Sequence, residues 1–282
     1  MNVFALLIAI DSYPTAPLDG CVNDSMMVED YLRTTIAPKT LQLVTLRNEQ
    51  ATKNNITEAF LKHLAQAKSD DIVFVHYSGH GAREQADPIF WRIEPDRQNE
   101  VMVTFDAINP TTGEFKPLAD KELRWLIKQV AKNNPQITIM FDCCHSGGGT
   151  RDNLVNVTPR FTQAKGAKVR ETKDYIFAQQ KYGGNLSQVL DASGFFNLQS
   201  GRHLLMAGAR SNQTAKELIV GDQVHGIFTY SILEVLKNTS GNVSYSDLMK
   251  RASVRVVGTV QDQVPQLETI VPTDANNLFL QG

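Results

Sequence analysis

Two short segments of the chain carry residues able to do covalent chemistry. Ser78-Gly79-His80-Gly81 follows an apolar run ending at Tyr77, and Asp142-Cys143-Cys144-His145-Ser146-Gly147 closes another such run. A lone histidine is usually a structural residue, and a lone cysteine a small buried hydrophobe. A histidine held between two glycines at a strand's end is poorly placed for core packing, because glycine there permits tight turns and close approach of another chain. Alternation along the second run sends Asp142 and Cys144 to one side and Cys143 to the other. Cys143 is then the packed, inert thiol and Cys144 the reactive one. A free thiol with a pKa of about 8.5 is mostly protonated at neutral pH. A nearby imidazole takes that proton and later gives one to a leaving amine. The backbone N–H groups of Gly81 and Cys144 are the candidate oxyanion donors, worth about 2.7–4 kcal/mol each.

Elements able to bring these residues together are legible in the pattern. Short apolar runs at Phe4 to Ile10, Leu41 to Leu46, Asp71 to Tyr77, Gln136 to Asp142 and His203 to Ala207 read as strands. Helical spacing recurs over Asn54 to Ala67, Asp120 to Lys132, Gly226 to Leu236 and Ser244 to Val256, the last opening with Ser244 and Asp247 as a capping pair. Strand and helix in alternation predict an α/β fold, with a mostly parallel sheet covered on both faces. Ligands bind such sheets outside the carboxyl ends of the strands, where His80 and Cys144 both fall. Ala82 to Pro117 reads as a long polar excursion. Gly147 to Gly201 shows little periodicity, and a stretch of that length is functional or disordered.

Composition narrows the partners. The 282 residues carry a formal net charge of −2, so nothing steers the chain toward nucleic acid or an anionic membrane. The run Val3 to Ile10 is too short to span a bilayer. Three cysteines, two of them adjacent, make no disulfide framework and point to a reducing, cytoplasmic setting.

With those residues in view, the chain resembles the metacaspases and their bacterial relatives, the orthocaspases, of the caspase superfamily. Tyr77-Ser78-Gly79-His80-Gly81 and Asp142-Cys143-Cys144-His145-Ser146-Gly147 look like that family's paired histidine and cysteine motifs. Gly20-Cys21-Val22-Asn23-Asp24 resembles the motif after its first strand, and Gly226-Ile227-Phe228-Thr229 and Gln263-Val264-Pro265-Gln266-Leu267 fit its C-terminal part. The resemblance implies a caspase-like three-layer α/β/α sandwich on a six-stranded, mostly parallel sheet. It implies one domain with a larger catalytic part (1–146), a linker open to self-cleavage (147–201) and a smaller C-terminal part (202–282). The implied activity is hydrolysis of polypeptides after Arg or Lys by a monomer. Asp24 and Asp142, with Ser78 beside them, would form the acidic pocket.

Two carboxylates at the bottom of a cleft suit a bidentate guanidinium and repel an acidic side chain. With no cation present they repel each other, and one pKa should rise. Asp24 could instead cap its own helix. Calcium enters by resemblance alone, with Asp96, Glu100 and Asp120 as tentative ligands. That set is incomplete, because Ala119 and Arg151 stand where acids would be expected. Calcium takes about six to eight oxygens, so no cofactor is expected to be required. The linker offers Arg151, Arg160, Lys165, Lys168, Arg170, Lys173 and Lys181 to an enzyme that cuts after basic residues. The rival readings are a metal site on His76, His80, Cys143, Cys144 and His145, a caspase-like scaffold without turnover, and a related peptidase that cuts after Asp or Asn, against which the acidic pocket argues.

Overall fold

The structure, a computed structural model, describes residues 1–109, 111–143, 158–160 and 170–281. The chain opens with β1 (Val3–Ala9), α1 (Cys21–Thr35), β2 (Leu41–Arg47), α2 (Lys53–Glu58) and β3 (Ile72–Ser78). A small excursion, β4 (Gly81–Gln85), β5 (Gln98–Met102) and β6 (Leu118–Ala119), leads into α3 (Asp120–Val130) and β7 (Gln136–Asp142). Then come β8 (Thr158–Pro159), β9 (Leu204–Ala207), β10 (Lys216–Val220), β11 (Gln223–Gly226), α4 (Ile227–Thr239), α5 (Tyr245–Thr259) and β12 (Gln266–Thr269).

The central sheet has six strands in the order β12-β9-β7-β3-β1-β2. All its pairings are parallel except that of the edge strand β12 with β9. Its inner strands are apolar on both faces, as strands covered on both sides must be. Alternate residues divide between two cores. Leu6, Ile8, Val73, Val75, Ile137 and Ile139 pack with α3 and the Ile56–Leu64 stretch, whereas Ala5, Leu7, Ile72, Phe74 and Met140 pack with α1, α4 and α5. That is the three-layer sandwich expected.

Departures from expectation have local causes. The predicted 54–67 helix is α2 followed by a wider turn over Ala59–His63 and a tight one over Leu64–Gln66, yet Ile56, Phe60 and Leu64 are all buried as their spacing predicts. Helix α1 is not visible in the pattern, because its inward face includes Asp24 and Ser25, both fully buried. The excursion is a three-stranded antiparallel sheet, β4-β5-β6. The described end of the linker is also ordered: Tyr175, Phe177 and Phe196 pack around Phe90 in the main core. Pattern missed this because three aromatics spread over a polar stretch give no periodicity.

Candidate active site

Ser78 and Asp142 end β3 and β7, and they are register partners, so both stand side by side on the carboxyl edge of the sheet. Asp11, just after β1, accepts the N–H groups of Cys21 and Val22 at 2.8 and 3.0 Å and so caps α1. Asp24, one turn in, is therefore free of capping its own helix, and its Oδ2 accepts the Ser78 hydroxyl at 2.9 Å. Both Asp24 oxygens accept the Gly226 N–H at 3.1 Å. Asp142 Oδ2 accepts the N–H and hydroxyl of Thr229 at 2.9 and 2.8 Å, in the first turn of α4. There the helix dipole favours an anion. A third acid, Glu217 of β10, accepts the Gly20 N–H at 2.9 Å. A Cβ on Gly226 would lie 2.3 Å from Asp142 Oδ2, so only glycine leaves this wall of the pocket open.

Between the three carboxylates lies the guanidinium of Arg160, fully buried. Its Nη2 reaches Asp24 at 2.6 Å and Glu217 at 3.2 Å; its Nη1 reaches Ser78 Oγ at 2.7 Å, the Asp142 carbonyl at 3.1 Å and Asp142 Oδ2 at 3.2 Å. Burial pushes the Asp24 carboxyl up, but the charge and hydrogen bond of Arg160, with help from His225, more than offset this and hold it below the usual range. For Asp142 burial prevails and, with repulsion from Asp24, raises its pKa despite Arg160. The pair thus splits as two close carboxylates must.

His80 follows β3 by two residues, in a cage of tyrosines. The Tyr13 hydroxyl accepts its N–H at 3.0 Å, and the Tyr77 hydroxyl donates to its carbonyl at 2.6 Å. A Cβ on Gly79 would meet both hydroxyls at 2.6 Å, which is why glycine precedes the histidine. The ring packs on Tyr13 with centroids 4.6 Å apart. Nε2 lies 2.7 Å from the Ala16 carbonyl, which can only accept, so Nε2 carries the proton. Nδ1 is buried with no hydrogen-bond partner among the described residues and is left as the basic nitrogen. Burial lowers the ring's pKa, partly offset by the Ala16 and Arg160 backbone carbonyls. The Gly81 N–H is engaged: it donates to the Arg160 carbonyl at 3.1 Å.

Cys143 is buried, as alternation predicts. Cys144, as nucleophile and as second oxyanion donor, lies outside the described residues. His80, Gly81, Asp24, Asp142 and Ser78 are brought together. Glu217 and the seating of Arg160 were missed. Glu217 had one signal: Gly221-Asp222 between two short β-rich runs marks a two-residue hairpin, β10–β11, with Gly221 at φ +67°.

The acids assigned to calcium do not converge. Asp96 and Glu100 both face Arg83, at 3.5 and 3.7 Å. Asp120 pairs at 2.7 Å with the buried ammonium of Lys121, which also pairs with Glu94. Burial pushes Asp120 up to about 6. A carboxyl spoken for by an ammonium is a poor ligand for a hard cation. Among the described residues, Asp11, Cys21 and Glu217 are the one group of three or more His, Cys, Asp or Glu whose ligand atoms lie within 4.8 Å of one another. Their oxygens already accept the amides of Cys21, Val22 and Gly20. The described residues therefore do not fit calcium.

Residues 2–275 match the caspase domain, and the chain belongs to that family of cysteine peptidases. Within it the chain is metacaspase-like. It is 27% identical over 302 aligned positions to Metacaspase-1B of Aspergillus terreus, covering 98% of this chain and 77% of the relative. It is 38% identical over 152 positions to Metacaspase-7 of Arabidopsis thaliana, covering 51% of this chain and 34% of the relative. In fold it is similar to a Geobacter sulfurreducens protein of known crystal structure (TM-score 0.66, 22% identity, covering 99% of this chain and 98% of the other). It is also similar to Caspase-1 of Spodoptera frugiperda (TM-score 0.54, 9% identity, covering 96% and 87%).

Proposed function

We propose that the protein is an endopeptidase that hydrolyses polypeptides after Arg or Lys through Cys144 and His80 and processes itself within its linker. The observation that carries this reading is the acidic pocket: Asp24, Asp142 and Glu217 converge on a single guanidinium in a site closed to water. Such a site would reject an acidic side chain by repulsion and a neutral one by leaving buried charges unpaired. Its five contacts, shared between both terminal nitrogens, match the planar fork of arginine better than the point charge of lysine.

In the reaction, His80 Nδ1 takes the Cys144 proton while Ala16 holds the other ring nitrogen. The thiolate attacks the carbonyl carbon after the basic residue, and the Gly81 N–H receives the developing oxyanion. The amine leaves with the proton from His80, and water then cleaves the thioester. No metal enters any step, and activity is expected to survive a calcium chelator. Fluorogenic peptides ending in Arg, Lys, Asp and Asn test this with wild type and Cys144→Ala. Turnover of the Arg peptide is expected, at least about tenfold above Lys given the lost charged hydrogen bonds, and none in Cys144→Ala. Turnover after Asp would overturn the pocket assignment, and Arg turnover by Cys144→Ala would overturn the nucleophile.

A further inference from the structure

We propose that His76 is a positioning residue of the acidic pocket and sets its preference for Arg over Lys. Through the Thr229 hydroxyl it orients the Asp142 carboxylate onto a guanidinium. This rests on the function proposed above and names the residue behind the selectivity of that site.

His76 lies in β3 two residues before Ser78, so its side chain falls on the same face of the sheet, one step beneath the pocket. It is fully buried. Its Nε2 is 3.3 Å from the Thr229 hydroxyl, which donates to Asp142 Oδ2 at 2.8 Å. A hydroxyl has one proton to give, and here that proton goes to Asp142. Nε2 must therefore be the donor to Thr229, and Nδ1 must be bare. The reverse tautomer would draw the proton toward Nε2 and set the Thr229 oxygen against the carboxylate with nothing between them. Burial pushes the His76 pKa down to about 4, against the attraction of Asp24 and with Arg160 adding to the shift, so the ring is neutral at pH 7 and keeps this one donor.

Packing alone does not account for the residue. Nδ1 is buried with no hydrogen-bond partner, a cost that an apolar side chain of similar size would not incur. What the Nε2 bond secures is the next one. Asp142 Oδ1 has no hydrogen-bond partner, so Oδ2 takes every contact of the carboxylate among the described residues: the N–H and hydroxyl of Thr229, and Arg160 Nη1 at 3.2 Å. Burial raises the Asp142 pKa, and both donations from Thr229 oppose that rise. The two ends of the bound guanidinium are served unequally. Nη2 meets Asp24 and Glu217, whereas among the described residues Asp142 is the carboxylate that meets Nη1. An ammonium is a point charge, satisfied in the corner between Asp24 and Glu217, but a planar fork needs both ends filled. Loosening Asp142 therefore costs Arg more than Lys.

The test reads the ratio of kcat/KM for Arg and Lys fluorogenic peptides, from which any competition by Arg160 for the pocket cancels. In His76→Phe the ratio is expected to fall about five- to tenfold, the worth of one hydrogen bond. His76→Gln, whose amide can also donate to Thr229, is expected to hold the ratio within about twofold of wild type. Thr229→Val should lower it at least as far as His76→Phe does, and the double variant no further than Thr229→Val alone, because His76 acts through that hydroxyl. Side-chain 15N spectra of the wild-type protein at neutral pH should show His76 protonated at Nε2 alone, a reading that needs no variant to fold. A merely structural histidine would loosen the site for both peptides alike, and a ratio left unchanged in His76→Phe overturns the inference. So do multiplying effects in the double variant, or a proton on Nδ1. All three leave the proposed function standing while wild type turns over Arg peptides. Wild type without Arg-peptide turnover overturns that function and this inference with it.

Discussion

Asp24, Asp142 and Glu217 share one cation but do not share its charge equally. Asp24 sits below the usual carboxylate range because Arg160 and its hydrogen bonds outweigh burial, whereas burial and repulsion leave Asp142 above it. Glu217 adds a charged hydrogen bond to Nη2. Glu217→Gln keeps the shape and removes that charge, so kcat/KM for Arg peptides should fall by about tenfold or more, read from initial rates. His80, the proposed base, would have its own signature. Burial depresses the His80 pKa below 6.5, and the neutral ring is the form that accepts a proton. Activity should therefore persist as pH falls through 6.5 and be lost only below it. A kcat/KM profile whose acid limb lies above that value would contradict this.

At the scale of elements, the pocket is made where secondary structures end. β3 supplies Ser78, β7 supplies Asp142, α1 supplies Asp24, and the amino end of α4 is where the two aspartates anchor through Gly226 and Thr229. Gly226→Ala would drive a methyl against Asp142 and Arg160. We expect a folded protein by circular dichroism with Arg-peptide turnover reduced about a hundredfold, since a misplaced cleft costs that much. The linker is fastened by a second buried arginine. Arg170 stacks on Tyr175 and pairs with Glu84 and Glu122, the latter also bound by Lys53. Lys53 therefore still covers Glu122 when Arg170 is removed, and Glu84 is left without its cation. Arg170→Met should cost about 3–5 kcal/mol in urea unfolding, the usual result of breaking a buried pair.

At the scale of the whole molecule, one sheet joins the front and back of the chain: β9 and β12 extend the edge begun by β7. The acidic pocket straddles that union, with Asp24 and Asp142 from the front, Glu217 from the back and Arg160 from the stretch between. Among the described residues, no helix is long and apolar enough to cross a membrane. Lys121 supplies positive charge between Glu94 and Asp120, beside Glu100. Chelation should accordingly leave both peptide turnover and melting temperature unchanged. A drop in either, restored by added calcium, would show that residues outside those described complete a site.

Apolar runs and helical stripes made the layered α/β fold legible, because burial on one or both faces writes its period into the chain. The same periods placed His80, Asp142 and Cys144 after strands, and Asp24 was reached through the motif around Gly20. Helix α1 escaped because its buried face is polar, and the linker's order escaped because scattered aromatics and two arginines have no period. Only the tertiary structure showed Glu217 closing the pocket and Arg160 filling it. Those contacts span 57 and 136 residues of separation. Pairing of charges so distant is decided by which strand ends meet, and local pattern carries no record of that.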